Sequence, residues 1–384
     1  MNLKDRLRLI KTTGSKPEAK PPEPKPDAES TPLSASSAPS PSPRSAQDEP
    51  PAARTHAFSD WRIEGDFVRS RTVMLPAVTP DAATGTPGPQ APPLESAASL
   101  AGLCALLPDI GRFLDAGNTL EPAGLTFFDL ETTGLSGGAG TVAFLAAFGT
   151  IAQDGAAGWR AGNKAALTVT QYLLLDYSGE PLFLQKCLEH LSGLVVTYNG
   201  KSFDSQIIKN RCIVNGLRPP WYHHADLVHP ARYLWKRKLP SCRQRDIEER
   251  VLGLDRGDDL PGSFAPDAWF QFLKSGETGN LLKICAHNAA DIAGLAAIWQ
   301  MFTVLAASPL AACRYNADLE HLALRFHNFV KRRHHEGRPA SLSMEETAVK
   351  LLEQAAAHGG EIAQLLWKRR YGAQLPAINP PAGR

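Results

Sequence analysis

Residues 127–140 read FFDLETTGLSGGAG, and the rest of the chain is read outward from them. Phe127, Phe128 and Leu130 have the apolar, aromatic character of a buried strand. Two acids, Asp129 and Glu131, stand inside it, two positions apart. A strand turns alternate side chains to opposite faces, so both carboxylates share one face. Buried carboxylates are costly unless a cation meets them. Two on one face repel each other unless a divalent cation lies between them; the bland alternative is a salt-bridged strand end. The glycine-rich GLSGGAGT that follows resembles a phosphate cradle only superficially. No GK[ST] closes it, and VAFLAAFGT after it reads as a strand where a Walker or Rossmann loop requires a helix. A β-hairpin is expected instead. Its glycines let backbone approach the site, where N–H groups can touch a substrate phosphate or sugar.

The chain around this stretch has 384 residues, 43% of them hydrophobic, enough for one large domain with accessories. A net charge of +2 singles out no partner, so any polyanion must be held by local patches. Cys104, Cys187, Cys212, Cys242, Cys285 and Cys313 include no CxxC pair. That disfavours a zinc ribbon or disulfide scaffold and fits a reducing, cytoplasmic location. No apolar run reaches membrane-spanning length, and MNLKDRLRLIK lacks the apolar core of a secretory signal, so no membrane association is expected.

Residues 1–57 are a Pro/Ala/Ser-rich stretch expected to be a disordered tail. Residues 58–119 are expected to be a loosely ordered extension, interrupted by TPDAATGTPGPQAPP at 79–93. Three strands are predicted in succession, Leu125 to Thr132, Ala143 to Ala152 and Leu167 to Asp176. GEPLFLQKCLEHL has helical period, SGLVVTYNG is a short strand, and KSFDSQIIKNRCIVNG is a helix with Ser202 as N-cap and Gly216 past its end. Helices are also expected over roughly Asp226 to Trp235, Ser241 to Leu252 and Asn280 to Leu305. This order makes residues 120–310 an α/β domain, with a mixed sheet that starts antiparallel and is flanked by helices. Residues 311–384 are expected to be a helical appendage.

Three further residues carry chemistry. Asp204 follows an apolar strand at the start of a helix, where a capping acid is the plain alternative. His287 and Asp291 lie four apart on one helix face, among the apolar Ile284, Cys285, Ile292 and Leu295. Asp129, Glu131, Asp204 and Asp291 together offer hard oxygen donors suited to two Mg²⁺ or Mn²⁺ ions. Two such ions support in-line attack of water on a phosphodiester, with His287 placed to take the proton.

FFDLETTG, NGKSFD and HNAADI, in this order, resemble the three exonuclease motifs of the DEDD superfamily. DLETTGLSGGAGT, TYNGKSFDSQIIKNRC, HADLVHPARYLWKRKLPSCRQRDIE and RGDDLPG resemble the bacterial YprB-type ribonuclease H-like proteins more closely. The resemblance covers about residues 120–305. It implies a ribonuclease H-like fold, metal-dependent phosphodiester hydrolysis, and Asp129, Glu131, Asp204 and Asp291 as metal ligands. His287 departs from the pattern, because a histidine four before the last aspartate stands where one subtype carries tyrosine.

Substrate contacts are expected at Thr132, Gly134, Asn199 and Phe203, beside the motif acids, and at Lys236 and Arg237. The latter belong to RYLWKRKLPSCRQR, where cations interleave with Tyr233 and Trp235 as in single-strand binding; the alternative is a solvated helix face with Trp235 in the core. His223, His224 and His229 are expected on loop or helix surfaces. EETAVKLLEQAAAHGGEIAQLLWKRRYG resembles one tetratricopeptide-type hairpin, which must pack on the nuclease domain or on a protein partner. The expected activity is 3′–5′ exonuclease on single-stranded DNA or RNA. The alternatives are an endonuclease of the same fold and a catalytically silent nucleic-acid or protein-interaction module.

Overall fold

The computed structural model describes residues 58–76, 97–134, 140–151, 166–257, 259–310 and 315–372. The expected disordered tail, the 79–93 stretch, the glycines at 137 and 138, and Asp258 lie outside the described residues. In chain order the strands are β1 (Arg62–Gly65), β2 (Val68–Pro76), β3 (Leu125–Thr132), β4 (Ala143–Ile151), β5 (Ala166–Leu174), β6 (Leu194–Thr197) and β7 (His223–Asp226). The helices are α1 (Ala97–Leu106), α2 (Pro108–Asp115), α3 (Glu180–Leu188), α4 (Asp204–Val214), α5 (Val228–Trp235), α6 (Gln244–Arg250), α7 (Ala265–Ser275), α8 (Gly279–Ala307), α9 (Leu319–His335), α10 (Leu342–Ala357) and α11 (Glu361–Tyr371).

The strands form one sheet in the order β1-β2-β5-β4-β3-β6-β7. The run from β1 to β3 is antiparallel, and β3, β6 and β7 are parallel. This mixed, ribonuclease H-like sheet matches the expected class, but two parts of it differ from expectation. The 58–119 stretch is not loosely ordered where it is described. β2 pairs along its whole length with β5, and Leu103 and Ile110 of α1 and α2 are fully buried. Arg69 and Arg71 disguise β2 as a solvated segment, yet Arg71 Nε donates to Gln171 Oε1 at 2.7 Å and its guanidinium lies over Trp61. The second difference is β7. His223 and His224 belong to this edge strand, which pairs with β6 before α5 begins.

Period-two alternation gives the sheet two apolar faces. Phe128, Leu130 and Phe148 pack on the side of α3, α4 and α7, while Phe127, Ala147 and Val169 pack on the side of α8. α8 is long and apolar enough to cross a membrane, against the expectation from sequence, but 78% of its apolar window is buried inside the protein. It lies close to the sheet because β4 offers small residues there. Ala147 stands opposite Asp129, and Gly149 opposite Phe127. A methyl group at Gly149 would collide with Ile292 of α8. The C-terminal helices resolve the alternatives for the hairpin, since Leu351, Leu352, Ala355 and Ala363 join the same core as α8.

Gly149→Ala is expected to cost about 1–3 kcal/mol by overpacking a well-filled core. Chemical denaturation reads it. Wild-type stability would mean that α8 has room to withdraw from β4.

Candidate metal centre

β3 turns Asp129 and Glu131 toward α8, and α8 turns His287, Asn288 and Asp291 back toward them. His287 Nε2 lies 3.2 Å from Asp291 Oδ2 and 4.0 Å from Glu131 Oε1. Ligand atoms of Glu131, His287 and Asp291 all fall within 4.8 Å of one another, the spacing of a metal-holding group. The histidine in the unusual register therefore reaches the site, one helical turn from Asp291.

Asp204 enters from the other edge of β3. β6 pairs only with Leu125, Thr126 and Phe127. Farther along, the Leu130 N–H donates to the Asp204 carboxylate instead. The turn that delivers Asp204 is fixed by Asp226, a buried acid that the sequence pattern does not single out. Asp226 accepts from the N–H groups of Asn199 at 2.7 Å, Lys201 at 3.0 Å and Val228 at 3.1 Å. Asn199 sits at φ 71°, a conformation that asparagine tolerates better than most residues. At Gly200 a Cβ would lie 2.6 Å from Thr197, so the turn has no space for a side chain there.

Asp129 is held by a polar row that crosses the sheet. Arg71, Gln171, Ala147 and Asp129 are cross-strand neighbours on β2, β5, β4 and β3. Ala147 is small, and Asn288 of α8 spans the row above it. Gln171 Nε2 donates to Asn288 Oδ1 at 2.9 Å, and Asn288 Nδ2 donates to Asp129 Oδ2 at 2.8 Å. Gln171 and Asn288 are completely buried. Neither residue stands out in the sequence, because an amide gains this meaning only from its neighbours.

The electrostatics are those of crowded acids. Burial, then the charges of Asp291, Asp204 and Glu131, hold the Asp129 carboxyl well above its usual range. Burial pushes Glu131 up to about 8, although the nearby His287 pulls the other way. Burial pushes Asp204 up to about 7 against hydrogen bonds from backbone N–H groups. Asp291 is the exception. Burial would raise it, but His287 and the Arg256 guanidinium 2.6 Å away hold it below the usual carboxylate range. Burial disfavours the charged form of His287, yet Asp291 and Glu131 outweigh it and push the imidazole up to about 9. Asp129 and Asp204 thus lack a counter-charge, Glu131 has only the His287 imidazole 4.0 Å away, and the cluster suits a hard divalent cation.

The expected substrate residues divide. The Thr132 hydroxyl donates to the Gly134 carbonyl at 2.9 Å, so both belong to the end of β3 beside Glu131. Asn199 is exposed and Phe203 half-buried in the turn before Asp204. Lys236 is exposed, but Arg237 is engaged with Asp318 at 3.5 Å and Glu320 at 3.2 Å, tying the end of α5 to α9. Trp235 is fully buried and donates to the Tyr315 carbonyl, and Arg325 lies over the Tyr233 ring. The aromatic half of the single-strand pattern is therefore structural. The segment still reaches the site's rim, where Tyr198 Oη donates to the Cys242 carbonyl and Gln244 Nε2 to the Asp291 carbonyl, each at 2.7 Å.

A pH dependence follows. Glu131 and Asp204 bind protons more tightly folded than unfolded, so without metal the fold loses stability as pH rises from about 4 through 7 and 8. His287, raised to about 9, adds a loss of the same sign above pH 6.5. In chelator the melting temperature is expected to fall between pH 5 and pH 8, and Mn²⁺ should raise it more at pH 8 than at pH 5.5. A flat profile in chelator, or equal metal shifts at both pH values, would contradict this electrostatic account.

Comparison with known proteins agrees with the geometry. A family model described as RNase_H superfamily matches residues 126–303. The Uncharacterized protein YprB of Bacillus subtilis (strain 168) is 36% identical over 179 residues, which are 46% of this chain and 41% of the relative. The chain thus matches less than half of that relative's length. From β3 to the far end of α8, residues 126–303 of this chain are a domain of the ribonuclease H superfamily.

Proposed function

We propose that this protein hydrolyses the phosphodiester bonds of nucleic acid, as a 3′–5′ exonuclease acting on single strands. The observation that carries this reading is the gathering of Asp129, Glu131, Asp204 and Asp291 around the end of β3, with His287 among them, on a ribonuclease H frame. Those four acids would hold two Mg²⁺ or Mn²⁺ ions. Bound there, the ions would activate an attacking water and stabilise the leaving 3′ oxygen. The charge of those ions would lower the imidazole that is held at about 9 without them, and Nε2 of His287, which faces Glu131 and Asp291, would then accept the proton of that water. Arg243, exposed between the Cys242 and Gln244 contacts, and the exposed Lys236 and Lys238 earlier in the same segment would hold the phosphates. The catalytic unit in this proposal is residues 58–310, because β2 completes the polar row behind Asp129. A cytoplasmic setting and a protein partner for the C-terminal helices belong to the same proposal.

The test is cleavage of 5′-labelled single-stranded DNA and RNA with Mn²⁺, resolved on a gel, with a circular strand to detect internal cutting. Asp129→Asn is expected to abolish cleavage. It should also raise the melting temperature of the metal-free protein, because it removes one repelling charge. Near-normal turnover in that variant would remove the two-ion mechanism. Cutting of the circle would mark an endonuclease. A wild-type protein that binds Mn²⁺ and single strands without cutting them would leave only a binding role.

Neutralising Lys236, Lys238 and Arg243 is expected to weaken binding at low salt and flatten its salt dependence. The log–log slope should change by roughly 0.7 for each phosphate that these cations cease to neutralise. An unchanged slope would show that they are ordinary solvated surface.

A further inference from the structure

Arg256, Asp259 and Gly262 of the RGDDLPG segment, between α6 and α7, reach the site. Arg256 Nε and its neighbouring nitrogen hold the two oxygens of Glu248, at 2.5 and 2.7 Å. The remaining nitrogen lies 2.6 Å from Asp291 Oδ1 and 3.4 Å from Asp259 Oδ2. Asp259 Oδ2 in turn lies 2.7 Å from His287 Nδ1. A carboxylate only accepts, so this ring nitrogen carries a hydrogen and the other, Nε2, faces the site. Gly262 closes the segment over the site, where a Cβ would come 3.0 Å from His287 Nε2 and 3.6 Å from Glu131 Oε1.

The anchor behind this arrangement is itself built in. Glu248 is almost wholly buried, and Gln244 Nε2 also donates to it at 2.9 Å. Its carboxylate occupies a notch at Gly294 of α8, where any side chain would collide with it. Burial works against the Arg256 cation, but Glu248 and Asp291 outweigh it and keep it charged. A buried bidentate pair of this kind has no solvent to replace it and little freedom to move.

We propose that Arg256 and Asp259 are positioning residues of this site. Asp259 orients the His287 ring. Arg256, braced by Glu248, pins one oxygen of Asp291 and leaves the other turned toward His287 and the cluster. The proposal deepens the nuclease reading and rests on it for its kinetic consequences. Its consequence for metal binding stands apart from activity.

Full-length wild type, Arg256→Lys and Asp259→Asn would be compared by Mn²⁺ titration calorimetry and by single-turnover cleavage of a single-stranded oligonucleotide at saturating Mn²⁺. A lysine keeps the charge but cannot hold Glu248 and Asp291 at once. Arg256→Lys is therefore expected to weaken Mn²⁺ binding about tenfold or more, within the range for residues that orient a metal ligand. Asp259→Asn is expected to slow the single-turnover rate about 10–100-fold with KM little changed. Unchanged Mn²⁺ affinity in the first variant would overturn the role of Arg256, and an unchanged rate in the second would overturn that of Asp259. If Arg256→Lys does not fold, Glu248→Gln, which loosens the brace and leaves the Arg256 cation in place, replaces it in the Mn²⁺ titration, and unchanged affinity there overturns the role of Arg256. If wild type does not cut but Arg256→Lys weakens Mn²⁺ binding, the nuclease reading fails and the positioning of Asp291 holds. If wild type cuts and both variants match it, the positioning proposal fails and the nuclease reading holds.

Discussion

The constraint on which this structure turns is the repulsion among carboxylates gathered at the end of β3. Burial raises the cost of ionising Asp129, Glu131 and Asp204, and the charges of the neighbouring acids, Asp291 among them, raise it further. The surroundings answer this cost unevenly. Asp291 receives a guanidinium and an imidazole. Asp129 receives a neutral amide, and Asp204 receives backbone N–H groups. Neutral donors orient a carboxylate without cancelling its charge. Compensation is thus concentrated on the α8 side, and the β3 side is left short of positive charge. A fold selected only for stability would have no reason to keep that imbalance, since apolar replacements for buried charges are often neutral or stabilising.

Holding the acids together requires α8 to lie close to the sheet, and three small residues make the approach feasible. Ala147 leaves the space that Asn288 fills, Gly149 accepts Ile292, and Gly294 accepts the Glu248 carboxylate. The same closeness makes the site depend on distant parts of the chain. Arg71 on β2 meets Gln171, which meets Asn288, which meets Asp129. The β1–β2 hairpin is remote from the site in sequence, yet it terminates the row of hydrogen bonds that orients a site acid. In a low-dielectric interior such a row is worth keeping whole, because each unpaired member would carry its own desolvation cost.

What could be read from the sequence was whatever local pattern determines. The alternation around Asp129 and Glu131 fixed their common face, and the spacing of His287 and Asp291 fixed theirs. The central strands β3, β4 and β5 were legible because apolar runs bounded by turn residues have few other readings. β2 was not, since its arginines carry meaning only beside Gln171 and Trp61. β7 reads as loop and helix because a four-residue edge strand has too little pattern of its own. Asn288, Asp226, Arg256 and Asp259 escape for a related reason: a single polar residue has no period, and its role is set by partners far along the chain. Trp235 shows the opposite error. Its cationic neighbours suggest base stacking, while its indole N–H is already committed to Tyr315.

That commitment would narrow how a nucleic acid approaches the proposed nuclease site. The α5 segment and the turn after it divide their side chains between two tasks. Trp235 and Arg237 fasten the C-terminal helices, Arg237 through Glu320, which also caps α11 by accepting from the Ile362 and Ala363 N–H groups. Lys236, Lys238 and Arg243 remain exposed. Arg243 stands between the Tyr198–Cys242 contact, next to the turn that delivers Asp204, and the Gln244 contact on Asp291, and Lys236 and Lys238 precede them in the same segment. In the proposed nuclease, a strand held at Arg243 would lie beside the acid cluster. Phosphate contacts of this kind carry no base identity, so they place the backbone without selecting sequence. The helical appendage is thereby tied to the end of α5, through Trp235 and Arg237, next to the lysines that the proposal gives to the phosphates.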